Sequence, residues 1–399
     1  MPRIKVGLLV NEFFDDKLPN GAGFGGYGMV ARHYIAEHLP DGEIEVETIL
    51  GFHNRSEFHH LTLDGCKKLV LLPACPTSRM RYVGRVARRL QRLKWRKTLE
   101  KYLNTFDVFL SIETMPYGAE LLRVVPDKKL ILYVQDPRPR QDWVELDSVI
   151  HTDDGSPRPD PCVCAFYNEM IRAGRLVAIS QGADLVKKAR DLYELPADFP
   201  VKIIRNPVVI DDAFDLGEQA KENGALFLGR LDPVKRPWLA LEVARQLPQV
   251  QFYFLGKAHH PVSPYIMYPY RNLPNVHLPG HQSGDVKTDL LKKCKCLINT
   301  SIHEAIPVSF LEALAYGTLL VSCQNPDAMA ERFGVFTGAV LGDGRDQAGA
   351  FVAGIEKLIG DEPRRQKLAV EAQEYAKENH GLAKWVEDMR NVIRRAANG

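Results

Sequence analysis

The sequence predicts an α/β fold of two doubly wound, Rossmann-like domains facing each other across a cleft. Three observations carry that expectation. Short apolar runs alternate with amphipathic stretches along the 399 residues, the pattern of parallel strands joined by helices. That length suits about two or three domains. Polar and charged residues stand repeatedly just past the ends of the apolar runs, where open parallel sheets bind ligands.

Lys5 to Val10 reads as a first buried strand; the apolar run is too short for a signal peptide. The turn NEFFDDKLPNGAGFGGYG follows, and Gly21, Gly23, Gly25, Gly26 and Gly28 would let backbone approach a ligand closely. Met29 to Leu39 then reads as a helix with Val30, Tyr34 and Ile35 on one face. Strand, glycine loop and helix can lay an anion on a helix N-terminus. The spacing fits neither the dinucleotide fingerprint nor the lysine-bearing phosphate loop, and the plain alternative is a surface loop. Ile44 to Leu50 and Lys68 to Leu72 read as strands.

Arg79 to Lys101 holds ten basic residues and one acid, with Val83, Val86, Leu90 and Leu93 as an apolar stripe and Trp95 nearby. A basic amphipathic helix suits an anionic membrane surface or another polyanion. The alternative is an ordinary helix whose stripe packs on the sheet. Val108 to Ile112 is a strand ending at Glu113, and Leu130 to Val134 one ending in QDPRPRQDW. Glu113, Gln135, Asp136, Arg138 and Arg140 therefore stand past strand tips, although Asp136 before Pro137 also fits simple turn chemistry. Leu176 to Ile179, ending at Ser180, and Val201 to Ile204 complete the first half. The polar stretch Asp211 to Asn223 marks the boundary between a first domain, 1–208, and a second, 209–381.

The second half repeats the grammar. Ala225 to Leu228 is a strand and Gly229 its turn, with Arg230 and Lys235 in the loop before a helix cored by Leu239, Val243 and Leu247. A guanidinium fork and an ammonium there suit a diphosphate; solvated loop cations are the alternative. Gln251 to Leu255 ends at Gly256 and Lys257, and Val276 to Leu278 is followed by Gly280, His281 and Gln282. The central stretch is HEAIPVSFLEALAYGT, His303 to Thr318, after an apolar run, Cys296 to Ile298, that closes in Asn299, Thr300 and Ser301. Pro307 suits the first turn of a helix that Gly317 ends. Glu304 then lies beside a strand tip, Glu312 lies in the helix, and the amides of Ala305, Ile306 and Val308 would face an anion. A polyhydroxylated ligand with a diphosphate matches that set; two surface glutamates are the alternative. Leu319 to Val321 is a strand, and Phe351 to Ile359, Glu362 to Asn379 and the basic stretch Leu382 to Arg395 are helical.

Hydrophobic residues at 45% and charged residues at 26% describe an ordinary globular protein, and a net charge of +2 argues against a nucleic-acid partner. No segment reaches the ~18 apolar residues of a membrane span. The seven cysteines show no zinc or redox spacing. Cys294 and Cys296 border a strand and read as buried apolar residues. Reduced thiols place the chain in the cytoplasm, and a lipid-binding basic helix would bring it to the inner face of the membrane.

With these residues in view, the chain resembles the retaining glycosyltransferases of the GT-B fold, family 4 (glycosyl transferases group 1). The carriers are GRLDPVK at Gly229 to Lys235, the paired Glu304 and Glu312, and the glycine loop after the first strand. In RNPVVID, Pro207 stands where the family usually has a glycine. The resemblance implies transfer of a sugar from a nucleoside diphosphate-sugar to a glycan or lipid-linked acceptor, as in cell-envelope polysaccharide synthesis. It implies no cofactor and no metal, and the chain has no Asp-x-Asp. Arg230 and Lys235 would stabilise the leaving diphosphate, and Glu304 would accept from sugar hydroxyls and Glu312 from the ribose. Gly25, Gly26, Gly229, Ala305, Ile306 and Pro307 would line the donor, with Gly256, Lys257 and His281 near the base. Asn11, Tyr27, Tyr117, Asp136 and Arg138 would lie on the acceptor side. The last helix, 382–399, would cross back to the first domain. The family often carries a histidine after the strand that here ends in SIETMPYG. The acceptor-side polar group is then Glu113, Asp136 or one supplied by the acceptor. A phosphorylase or nucleotide-sugar epimerase, and a non-catalytic sugar-nucleotide-binding module, are the other readings of the scaffold.

Overall fold

The structure is a computed structural model of the chain. It describes all residues except 1–2, 11–12, 14–25, 54–56, 64–66, 76–84, 114–115, 151–159, 212–213, 218–219 and 259–262. The chain divides into two compact units. The first comprises Met1–Pro137, Pro157–Ile204 and Ala383–Gly399, and the second Arg138–Ser156 and Arg205–Leu382.

In chain order the first unit begins with β1 (Ile4–Leu9) and α1, an α-helical turn (Gly26–Met29) that continues as a wider-turn helix over Val30–Ala36. Val30, Tyr34 and Ile35 are buried on its inner face, as their spacing predicts. Strands β2 (Ile44–His53), β3 (His59–Leu63) and β4 (Lys67–Pro73) follow, then α2 (Arg85–Leu103), β5 (Val108–Ile112), α3 (Pro116–Leu122) and β6 (Lys129–Val134). Next come α4 (Arg140–Ile150), which packs with the second unit, and α5 (Pro161–Arg172), β7 (Leu176–Ser180), α6 (Ala183–Tyr193) and β8 (Val201–Ile203).

These strands form one sheet in the order β3-β4-β2-β1-β5-β6-β7-β8. All neighbours are parallel except β3 against β4. Strand β3 carries little of the apolar alternation that marks a strand; its HHLTL is only partly buried because it lies at the sheet edge. In contrast, every residue of β5 is buried, as expected of a parallel strand covered on both faces.

The second unit holds β9 (Glu222–Leu228), α7 (Pro237–Gln246), β10 (Gln251–Leu255), α8 (Ser263–Met267), β11 (Val276–Gly280), α9 (Gly284–Lys293) and β12 (Cys294–Asn299). It continues with α10 (Val308–Ala315), β13 (Leu319–Ser322), α11 (Met329–Arg332), β14 (Gly334–Phe336), α12 (Ala348–Gly360) and α13 (Glu362–Asn379). Its sheet is wholly parallel, in the order β11-β10-β9-β12-β13-β14. Winding reverses between β9 and β12, and this is the switch point at which such sheets open a ligand crevice. Cys294 and Cys296 lie fully buried in β12.

Helix α10 begins at Val308, with Pro307 extended as its N-cap (φ −65°, ψ 135°). The expectation that Pro307 occupies the first helical turn is corrected: Ala305 and Ile306 precede the helix in a buried loop. Gly317 has φ +62°, the left-handed conformation that ends the turn after α10 at little cost for glycine. The last helix, α14 (Leu382–Asn398), returns to the first unit. Its Trp385, Met389, Val392 and Ile393 are buried, and Trp385 donates to the Tyr133 hydroxyl at 3.1 Å.

Candidate active site

In the second unit the switch point brings two loops together. One runs from the end of β9 through Gly229, Arg230 and Lys235, and the other from the end of β12 through Asn299 to Pro307. They are tied directly: the Ile302 amide donates to the Val234 carbonyl at 2.8 Å, and the Thr300 hydroxyl to the carbonyls of Lys235 at 2.8 Å and Arg236 at 3.0 Å.

This lacing seats Glu304 against Lys235. Glu304 is nearly buried, and its Oε1 accepts from Lys235 Nζ at 2.5 Å, Ser301 Oγ at 2.6 Å and Asn299 Nδ2 at 2.9 Å. Burial alone would raise its pKa. The Lys235 charge and the hydrogen bonds from Lys235, Ser301 and Asn299 outweigh it and hold the carboxyl below its ordinary value. Glu304 is therefore ionised at neutral pH. Its Oε2 makes no hydrogen bond among the described residues. The adjoining amides of Ala305 and Ile306 are likewise without a hydrogen bond among the described residues, although both residues are buried. Unsatisfied buried amides are rare, so an open acceptor, two open donors and a cation share one corner.

Arg230 is more exposed, with Nη1 3.7 Å from Asp232 Oδ2. Lys257 lies at the tip of the adjacent β10 and His281 just past β11, both exposed. Gly256 has a packing role as well: a Cβ there would lie 1.8 Å from the Gly229 carbonyl oxygen. The two tips are locked by Gly229 N to Leu255 O at 3.1 Å and Leu231 N to Lys257 O at 2.9 Å. Glu312, within α10, bonds Lys287 of α9 at 2.5 Å, a partner that chain order gave no means to foresee.

In the first unit Glu113 stands at the end of β5 with φ +49°, costly for a residue with a side chain. It is buried, and its Oε1 accepts from the amides of Gln135 at 2.8 Å and Asp136 at 3.0 Å, while Oε2 accepts from the Tyr193 hydroxyl. Burial pushes its pKa up against those three donors. The group thus braces the Asp136 turn. The Tyr27 hydroxyl reaches the Asp136 carbonyl at 3.4 Å, and that of Tyr117 the Val10 carbonyl at 2.6 Å. Tyr27, Glu113 and Asp136 are therefore neighbours. Gly26 is the first described residue of α1, with open space where a Cβ would stand. Asn11 and Gly25 lie outside the described residues, and Arg138 falls in the second unit, stacked on Trp143 at 4.4 Å.

Sequence reasoning missed Asp142 and Glu145 of α4. Asp142 accepts from His303 Nδ1. Glu145 accepts from Arg236 Nη2 at 2.9 Å and from the Gly342 amide. The run NTS at the end of β12 was the available signal for Asn299 and Ser301; nothing in the sequence pointed to α4.

Residues 209–377 match the family described as glycosyl transferases group 1. Among solved structures, sucrose-phosphate synthase from Thermosynechococcus elongatus superposes with a TM-score of 0.69 at 13% identity, covering 98% of this chain and 99% of that one. Anabaena HepE in complex with UDP gives 0.65 at 14%, covering 98% and 100%. WaaG, a glycosyltransferase involved in lipopolysaccharide biosynthesis, gives 0.62 at 14%, covering 97% and 99%. These likenesses place the chain in the GT-B fold. No curated protein sequence matches the chain.

Proposed function

From a chain of GT-B fold whose residues 209–377 match glycosyl transferases group 1, we propose a metal-independent, retaining glycosyltransferase. It moves a sugar from a nucleoside diphosphate donor to a glycan or lipid-linked acceptor, in cell-envelope polysaccharide synthesis. The observation that carries this reading is the corner where Lys235 meets the ionised Glu304 beside the open amides of Ala305 and Ile306. The amides, Lys235 and Arg230 hold the diphosphate, and Glu304 Oε2 accepts a hydroxyl of the donor sugar. Glu312, held by Lys287, accepts from the ribose, with Lys257 and His281 beside the base.

As the bond from the sugar to the diphosphate breaks, negative charge grows on the departing oxygen. Donors fixed in advance around it stabilise that charge, commonly the largest catalytic term. The acceptor oxygen bonds to the anomeric carbon on the face the diphosphate leaves, and its proton passes to the leaving phosphate oxygen. Configuration is retained. Arg230 and Lys235 supply the positive charge that a metal would otherwise bring. Asp136, braced by Glu113, orients the acceptor hydroxyl, with Tyr27 and Tyr117 beside it.

The chain meets its acceptor at an anionic membrane surface through α2. Leu99 and Leu103 are fully buried, while Val86, Leu90 and Leu93 are 74%, 62% and 48% exposed. At about 100° per residue the two groups centre roughly 130° apart around the helix. Around them Arg89, Arg92, Lys94, Arg96 and Lys97 are exposed. That exposure supports the membrane reading over the alternative in which the stripe packs on the sheet. Apolar groups ringed by cations match lipid of negative charge.

The test is thermal melting with nucleoside diphosphates and their sugars in the presence of EDTA, beginning with UDP and GDP. Ligand at ~100 times its dissociation constant adds ~2.7 kcal/mol. A shift by one nucleotide family that disappears in Arg230→Ala is expected. No shift with any of them would sink the transferase, and conversion of a donor to a rearranged sugar nucleotide without acceptor would make the chain an epimerase.

A further inference from the structure

Resting on that reading, we propose that Asp142 and Glu145 are positioning residues for the donor site, and that α4 is a strap fastened to both of its loops. Helix α4 packs with the second unit, although β6 before it and α5 after it belong to the first. It rests on the turn Pro233–Lys235. Its two acids are three residues apart, on one helix face, and each grips the neighbour of a donor-site residue.

Asp142 bonds His303, which is buried and immediately precedes Glu304 and the open amides of Ala305 and Ile306. Glu145 bonds Arg236, whose side chain is wholly buried and which immediately follows Lys235. Arg236 takes a left-handed backbone, φ +42°, unusual for arginine. Its remaining bonds, to the carbonyls of Gly342 at 2.8 Å and Val340 at 3.0 Å, keep it turned away from the loop it ends. Glu145 is the one carboxylate paired with this guanidinium among the described residues. A buried cation whose partner sits on α4 fixes where the chain turns after Lys235 only while α4 is docked. Docking of α4 and order in the donor loops are therefore coupled. By linkage, a ligand that orders the loops must tighten α4 by the same factor that α4 tightens the ligand.

Two measurements on the full chain test this. The first is UDP affinity by calorimetry (GDP, if the melting panel selects it) for wild type, Asp142→Asn and Glu145→Gln. The second is hydrogen exchange of the α4 amides with and without the nucleotide. Each substitution is expected to weaken UDP at least fivefold, and bound UDP to slow α4 exchange in wild type but not in the double variant. Asp142, whose side chain is 26% exposed, allows a mild change that carries the test if Glu145→Gln does not fold. Wild-type binding with unchanged affinity in Asp142→Asn overturns the inference alone. Slowing that persists in the double variant overturns it too, since UDP would then touch α4 directly. A wild type that binds no nucleoside diphosphate overturns the proposed function, and this inference with it.

Discussion

At the scale of single residues, the donor loops are held in place by contacts that leave no room for a methyl group. Gly256 is the sharpest case. Its added Cβ would stand 1.8 Å from the Gly229 carbonyl oxygen, a backbone atom that cannot swing away as a side chain would. The Gly256→Ala variant must part the tips of β9 and β10, breaking the bonds that set Leu231 on Lys257 and with them the position of Arg230. Overpacking of this kind costs ~1–3 kcal/mol, and a melting point lowered by several degrees with weakened nucleotide binding is expected. A variant with wild-type melting and binding would show that the tips separate freely. The same scale explains why Glu304 and Lys235 were each legible and the bonds that join Glu304 to its partners were not. A glutamate past an apolar run announces itself, whereas the bond from Asn299 depends on how the chain folds back.

Elements show where periodicity suffices and where it does not. Of the stripe Val83, Val86, Leu90 and Leu93, Val83 lies outside the described residues; the pattern was readable as a stripe, but not the side it faces. The apolar residues Leu99 and Leu103 lie on another face and compete for the sheet. They win: both are fully buried, Trp95 Nε1 donates to the Pro73 carbonyl at 2.8 Å, and the stripe is left outside. The proposed contact with anionic lipid predicts co-sedimentation with vesicles of acidic phospholipid that falls as salt rises. Each basic residue near such a surface contributes ~1 kcal/mol, and the field is screened within ~10 Å at about 0.1 M salt. Leu90→Asp should weaken binding at low salt; vesicles that fail to bind wild type at low salt would remove the membrane from the proposal.

At the scale of the molecule, the second unit's main segment begins and ends side by side. Val208 forms a parallel bridge with Gly381, and its amide donates to the His380 carbonyl at 2.9 Å. The His380 ring, buried, donates from Nδ1 to the Asn206 carbonyl at 2.7 Å. Its Nε2 is buried without a partner among the described residues, so the neutral ring is the form that fits. Burial, with Arg205 nearby and against the Asn206 bond, pushes its pKa down to about 4. A histidine lowered on folding contributes stability that is present above its unfolded value near 6.5 and is lost as pH falls through the folded one. The stability drop between pH ~6.5 and ~4 should therefore include about 3 kcal/mol from this ring. His380→Gln, which keeps an N–H donor, should flatten that part of the profile in urea titrations. An unchanged profile would mean that the ring charges without cost.

The sequence by itself determined the two-domain α/β pattern and nearly every central strand, and it singled out Arg230, Lys235, Glu304 and Glu312 as candidates beside strand tips. Strand tips in parallel sheets carry function and interiors carry apolar runs, so both are written locally along the chain. Tertiary structure alone decided that β9 and β12 flank the switch point, that Lys287 holds Glu312 and that Glu113 braces Asp136. It also decided that α4, which chain order places among the first unit's elements, fastens to the loops of the second. Those pairings join residues as close as 23 positions apart, for Glu113 and Asp136, and others far more distant, 161 apart for Asp142 and His303 and 197 for Glu145 and Gly342. Burial and hydrogen bonding choose such partners only when the chain is folded, because no local preference of Asp142 for its own neighbours records which histidine it will meet.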